Sequence, residues 1–350
     1  MNLLMRSLWD DKAVDIRVRV AGIYTVLLVF NLGAWIWALI AFRNFPVQLG
    51  TAFLAYSFGL RHAVDADHIA AIDNVTRKLM QDGKRPVAVG FMFSLGHSTV
   101  VFLACVGIAA TALAFQSSLD GFKEIGGVVG TLVSAFFLLI IALINTVVLR
   151  SVYQAFRQVR AGKPYVEEDF NLLLANRGFL ARIFRPLFNL ITRSWHMYPL
   201  GFLFGLGFDT ATEIGLLGIS AAQASAGMPI WSILIFPTLF TAGMALVDTT
   251  DSILMLGAYG WAFVRPVRKL YYNMTITFVS VVVAIAVGGI EVAGLLADQL
   301  HLSGGFWDAM GSLNDNFGTV GYVVIGLFVF AWVVSVAIYR WKRFDDIELG

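Results

Sequence analysis

Two histidines and two carboxylates, His62, Asp65, Asp67 and His68, stand within seven residues of a stretch otherwise apolar enough for a membrane helix. Imidazole nitrogen with carboxylate oxygen is a ligand set for divalent first-row metals. An isolated Asp or Arg at mid-bilayer costs roughly 2.5–3.5 kcal/mol on insertion scales, so Arg61, Asp65 and Asp67 must face polar groups, water or a bound cation. On a helical wheel His62, Asp65, His68 and Asp73 fall within an arc of about 140°, and Asp67 points away from them. A regular helix therefore cannot aim all of these groups at one ion. Either Asp67 serves a neighbouring helix, or the backbone breaks near Gly59, as transporter helices often do.

Three further polar clusters interrupt apolar runs. Gly96-His97-Ser98 offers a third imidazole beside a glycine that lets helices approach closely. Asp209 and Glu213 are four residues apart and share a helix face; Asp248 and Asp251 repeat the device at a spacing of three. A lone intramembrane histidine is commonly just a hydrogen-bonded interhelical residue, and one carboxylate pair could merely join helices to Thr, Ser or Arg61. Six such carboxylates facing lipid unpaired would cost on the order of 15 kcal/mol. Convergence on one hydrophilic cavity is the simpler account. Glu291 has no partner visible in the sequence.

The elements that must position these groups follow from composition. Of the 350 residues 58% are hydrophobic and 14% charged, and the mean hydropathy is +0.76, which marks an all-α polytopic membrane protein and excludes a soluble globule. The net charge of +2 is not that of a nucleic-acid binder. The single Cys105 excludes a disulfide framework within the chain and reads as a small buried apolar residue. Runs of the roughly 20 residues needed to cross a bilayer occur eight times, near 20–42, 47–73, 87–115, 125–149, 198–222, 230–258, 270–298 and 319–339. Arg and Lys crowd the amino terminus, the loop between spans two and three, the 150–197 connection, the loop after span six and the carboxyl terminus. Excess positive charge marks the cytoplasmic side, so both termini are expected there. The 150–197 segment reads as a cytoplasmic connector with an interfacial amphipathic helix around Arg182 and Phe188, and His196 as a loop histidine.

Phe58-Gly59-Leu60 in span two recurs as Phe204-Gly205-Leu206 in span five, which places Asp67 opposite Glu213; Gly96-His97 and Gly243-Met244 follow at nearly equal distances. Spans two and five run in opposite directions, so the echo points to an inverted repeat relating spans 2–4 and 5–7. Such repeats commonly place the substrate at their interface near mid-membrane.

Arg61-His62-Ala63-Val64-Asp65-Ala66-Asp67-His68-Ile69 resembles the signature of the nickel/cobalt transporter family, a histidine, four residues, then Asp-His. Three further family signatures follow in order at Phe93–Val101, Leu206–Glu213 and Gly243–Asp251. The resemblance covers most of the chain, taken as a single permease domain over 1–350. It implies a secondary permease for uptake of Ni²⁺, with Co²⁺ a secondary substrate and no cofactor, in a bacterial cytoplasmic membrane. It makes His62, Asp67 and His68 essential and carries over His97, Asp209, Glu213, Asp248 and Asp251 as signature positions. Asn31, the most polar side chain of span one, and Val64, inside the motif, are the expected shapers of the nickel-against-cobalt pocket.

The residue chemistry agrees independently. Affinity order alone favours Cu²⁺ over Ni²⁺, so selectivity must come from geometry. Two other readings compete, an exporter on the same scaffold and a protein of another class. A metal exporter often carries a histidine-rich loop, whereas the connector holds only His196; an intramembrane metalloenzyme would need more histidines, and no His-Glu-x-x-His is present.

Overall fold

The computed structural model describes residues 11, 15–110, 116–160, 191–206, 211–262 and 266–342. All regular structure among them is helical: α1 (Ile16–Ala41), α2 (Pro46–His62), α3 (Ala66–Gln81), α4 (Val89–Ala110), α5 (Gln116–Arg160), α6 (Met197–Phe204), α7 (Ala211–Ser225), α8 (Ile230–Ile233), α9 (Ile235–Ala262), α10 (Pro266–Gln299), α11 (Gly305–Asp315) and α12 (Phe317–Trp341), with a short 3-10 turn at Ser194–His196.

Local chemistry sets several ends. Asp15 accepts from the Val18 amide at 3.3 Å and starts α1, and Pro46 opens α2, where its missing N–H is no loss. The outer faces of α1 and α12 expose Leu28, Val29, Leu32, Ile40, Val323, Val329 and Phe330. Water would penalise these faces and hydrocarbon accepts them.

Six stretches among the described residues are long and apolar enough to cross a membrane: Ile16–Ala41, Val89–Ala109, Val128–Gln158, Ile230–Gly260, Met274–Gln299 and Phe317–Tyr339. The most apolar window of Ile230–Gly260 is 67% buried and that of Phe317–Tyr339 17%, so α9 runs through the centre and α12 along the rim. The spans expected near 47–73 and 198–222 are absent from this set because neither is one continuous helix. The first divides into α2 and α3 at residues 63–65, where Asp65 turns extended (ψ 146°) at the N-cap position of α3 without its side chain capping the helix. The second divides after Phe204, and α7 resumes at Ala211. The break in the motif therefore falls several residues beyond Gly59. Helix α5 also runs to Arg160, into the expected connector; the stretch around Arg182 and Phe188 lies outside the described residues.

Gly59 does other work. A Cβ there would stand 2.0 Å from the Phe240 carbonyl oxygen, so α2 rests directly on the backbone of α9. Helix α4 meets α6 in the same manner, with a Cβ at Gly96 placed 1.9 Å from the Tyr198 oxygen. Around these seams lies a core of Ala52, Ala55, Val101, Cys105, Leu216, Phe236 and Phe240 from α2, α4, α7 and α9. A second core joins α3, α5, α10 and α12 through Ile69, Leu138, Val283 and Val324.

At the far end of α3, Lys78 Nζ donates to the Ile191 carbonyl at 2.5 Å and Lys84 Nζ to that of Thr192 at 2.6 Å. Asp11 accepts from the Ser194 amide and hydroxyl at 2.7 and 2.6 Å. The chain entering α6 is thereby tied to the chain leaving α3.

Candidate metal site

The break after His62 lets α2 and α3 present two imidazoles to one point from different axes. His97 arrives from α4, and His62, His68 and His97 each offer a nitrogen within 4.8 Å of the others. Their ring centroids are 4.7, 4.7 and 4.9 Å apart. All three are buried, as are Asp65, Glu213 and Asp248. Phe93 stands edge-on to His68 at 4.8 Å, and Phe240 lies 5.6 Å from His62, so two aromatic rings line the pocket.

His62 Nε2 lies 2.9 Å from His97 Nε2, which lies 2.9 Å from Glu213 Oε1; the remaining side of the triangle, His62 to Glu213, is 3.8 Å. Around an ion with bonds of about 2.1 Å, ligand atoms at right angles stand roughly 3.0 Å apart and those at a tetrahedral angle roughly 3.4 Å. The two 2.9 Å sides match donors at right angles around one small cation, and the 3.8 Å side asks for an angle opened to about 130°. Two nitrogen lone pairs cannot face each other at 2.9 Å with nothing between them, so either one ring carries its own proton there or a metal ion takes that proton's place.

The outer nitrogens meet carboxylates. His62 Nδ1 is 2.8 Å from Asp65 Oδ2 and 3.3 Å from Thr212 Oγ1. His68 Nδ1 is 3.2 and 3.4 Å from the two oxygens of Asp248, and Ser94 Oγ donates to Asp248 Oδ2 at 2.6 Å. His68 Nε2 and His97 Nδ1 are buried and have no hydrogen-bond partner among the described residues.

The structure thus brings together His62, Asp65, His68, His97, Glu213 and Asp248. Asp67 occupies the first turn of α3, half-buried and within electrostatic range of His62 and His68. Asp251 sits one turn along α9 from Asp248, with one carboxylate oxygen buried and unpartnered among the described residues. Asp209 lies outside the described residues. Asn31 bridges α1 to its neighbours: its amide donates to the Ala242 carbonyl at 3.3 Å and its oxygen accepts from Tyr56 at 3.0 Å. Val64 packs with Phe317, Val320 and Val324 beside α12. Glu291 finds its partner in Ser134, whose hydroxyl donates at 2.6 Å across the seam of α5 and α10.

Sequence reasoning missed Ser94 as the partner of Asp248, although it stands inside a signature segment. It also missed a buried polar knot from the middle of α3 toward its end. There Asp73 accepts from Tyr259 and, at 2.7 Å, from Ser280. Arg77 donates to Thr277 at 3.1 Å and to Asn74 at 2.9 Å, and Asn145 also donates to Asn74.

Comparison with known proteins places this geometry in context. The family profile described as high-affinity nickel-transport protein matches residues 48–338. The chain is 67% identical over 333 residues to a high-affinity nickel transport protein of Cupriavidus necator, covering 95% of each. It is 46% identical to the nickel transporter NixA of Staphylococcus aureus, over 91% of this chain and 94% of that one. It is 43% identical to the cobalt transport protein NhlF of Rhodococcus rhodochrous, over 81% and 80%. No solved structure matches the chain.

Proposed function

The chain belongs to the high-affinity nickel-transport protein family, and from that premise we propose that it carries Ni²⁺ into the cell through the pocket of His62, His68, His97 and Glu213. The observation that carries this reading is the convergence of three buried imidazoles from α2, α3 and α4, two of which, His97 and His62, stand 2.9 and 3.8 Å from the Glu213 carboxylate of α7. Neutral imidazole suits a divalent ion of this row, and buried carboxylates balance its charge. Co²⁺ is the secondary substrate, in keeping with the cobalt transport protein among the relatives. A site that accepts a proton where it accepts a metal also has a release route, because protonation of the imidazoles competes with the ion.

The finer architecture follows the same reading. Helices α2 with α3, and α6 with α7, each complete one membrane crossing, which brings six apolar spans to eight and leaves both termini on the cytoplasmic side of a bacterial inner membrane. The two seams support an inverted repeat. Gly59 of the first broken pair meets α9, whose Gly243 faces the Tyr56 carbonyl; Gly205, its counterpart in the second, meets the backbone of His97 on α4. Each broken span thus rests on the partner span of the other half. Broken helices at a repeat interface are where transporters hold their ions.

The test is uptake of radiolabelled Ni²⁺ at nanomolar concentration in cells expressing the wild type, His62→Ala or His68→Ala at matched membrane abundance. Accumulation in the wild type that vanishes in both variants supports the reading, and equal uptake in all three refutes it. Asn31→His and Val64→Phe should alter the nickel-to-cobalt uptake ratio. An unchanged ratio in both variants would remove these residues from selectivity.

A further inference from the structure

We propose that Asp65 and Asp248 do not bind the ion but orient the imidazoles that do, and that Ser94 is the positioning residue holding Asp248 to this task. The inference rests on the metal-pocket reading above and assigns roles within it. A neutral imidazole carries one proton and one lone pair, and which nitrogen has the lone pair is set by what the other nitrogen meets. His62 meets Asp65 through Nδ1 at 2.8 Å, and its Nε2 faces His97. His68 meets both oxygens of Asp248 through Nδ1 at 3.2 and 3.4 Å. Each carboxylate accepts the Nδ1 proton and leaves Nε2 as the lone pair. In His68 that Nε2 is buried without a partner among the described residues, and buried polar atoms in that state are few and call for an explanation. A ligand nitrogen kept ready for a cation is that explanation.

Ser94 completes the relay. Its hydroxyl is 2.6 Å from Asp248 Oδ2 and 2.9 Å from the Gly90 carbonyl. One hydroxyl proton serves one acceptor at a time, and the shorter, charge-assisted contact goes to the carboxylate. The helices leave little slack, since a Cβ at Gly90 would stand 2.0 Å from the Asp248 carbonyl oxygen. With α4 and α9 in backbone contact there, the Ser94 hydroxyl fixes the carboxylate, the carboxylate fixes the ring, and the ring presents Nε2. Groups placed behind a metal-binding histidine typically change affinity 10–100-fold when removed.

The test uses the full-length protein, purified and titrated with Ni²⁺ alone, together with uptake kinetics in cells. Ser94→Ala should raise KM and the dissociation constant about tenfold, with a smaller effect on maximal rate, and Ser94→Thr should restore both. Asp248→Asn and Asp65→Asn should weaken binding roughly 10–100-fold without abolishing it, whereas His68→Ala abolishes it. In the Co²⁺-loaded protein, the exchangeable, hyperfine-shifted Nδ1–H proton resonance of His68 should persist in Ser94→Ala but move. An Asp248→Asn protein of normal membrane abundance that binds as little nickel as His68→Ala would make Asp248 a ligand and overturn the proposal. Wild-type affinity and an unmoved resonance in Ser94→Ala would overturn the part given to Ser94. A wild type that binds Ni²⁺ without importing it refutes the transport reading alone, with the positioning roles still decided by the titrations; one that binds none refutes both.

Discussion

Replacing Gly59 with alanine places a methyl carbon 2.0 Å from the Phe240 carbonyl oxygen, where ordinary contact begins at 3.4 Å. The obstacle is backbone, so α2 must withdraw from α9 by about 1.4 Å or carry the strain. His62 is three residues further along α2, and its Nε2 stands 2.9 Å from that of His97. A retreat of that size removes His62 from the reach of an ion held by the other donors, because metal–ligand distances tolerate only about 0.2 Å. Overpacking of this kind costs about 1–3 kcal/mol. If the empty protein relaxes by parting the seam, binding must close it again, and the same energy appears as an affinity loss of roughly 5- to 150-fold. The assay is nickel uptake over a concentration series at matched abundance, with KM the decisive quantity. Gly50→Ala on the same helix is the control, since a Cβ there meets nothing within 4 Å, and alanine in place of an unneeded helical glycine is neutral or mildly stabilising. An unchanged KM in Gly59→Ala, or an equal rise in Gly50→Ala, would refute the reasoning.

Nickel affinity should fall as pH falls, because each ring nitrogen that takes the ion must first be free of its proton; titrations giving one affinity from acidic to neutral pH would contradict histidine ligation. Nickel at a hundredfold excess over its dissociation constant should stabilise the purified protein by about 2.7 kcal/mol, read as a rise in melting temperature that His97→Ala abolishes. Tyr259→Phe removes a donor to the buried Asp73 and should cost about 1–3 kcal/mol of stability. Its nickel KM should stay at the wild-type value, and a large change in KM would place the knot around Asp73 on the transport path.

The chemistry-bearing residues were legible because charge in an apolar run is costly and therefore informative. His62, His68, His97, Glu213 and Asp248 all stand out on that ground and all meet in one pocket. The helical wheel showed that an unbroken helix could not aim every polar group at one ion, and the break it called for falls at residues 63–65, not near Gly59. His62 and His68 converge across a turn at residues 63–65 that hydropathy does not register, because it weighs composition and not the extended backbone at Asp65. Ser94 was illegible for another reason. Its partner is 154 residues away, and no local spacing encodes which helix a serine will face. The same holds for Glu291, whose mate Ser134 lies across a different seam.

The tie at the far end of α3 grips main-chain carbonyls. Lys78 and Lys84 hold the oxygens of residues 191 and 192, and Asp11 holds the Ser194 amide two positions on. Such a fastening counts residues more than it reads them. A new side chain at Thr192 leaves the grip of Lys84 intact, whereas one residue added or removed between 191 and 194 puts the Asp11 grip on 194 out of phase with the lysine grip on 191. For anyone placing a tag or reporter in this protein, the approach to α6 tolerates respelling at residues 191 and 192, keeps its serine at 194, and does not tolerate a change of length.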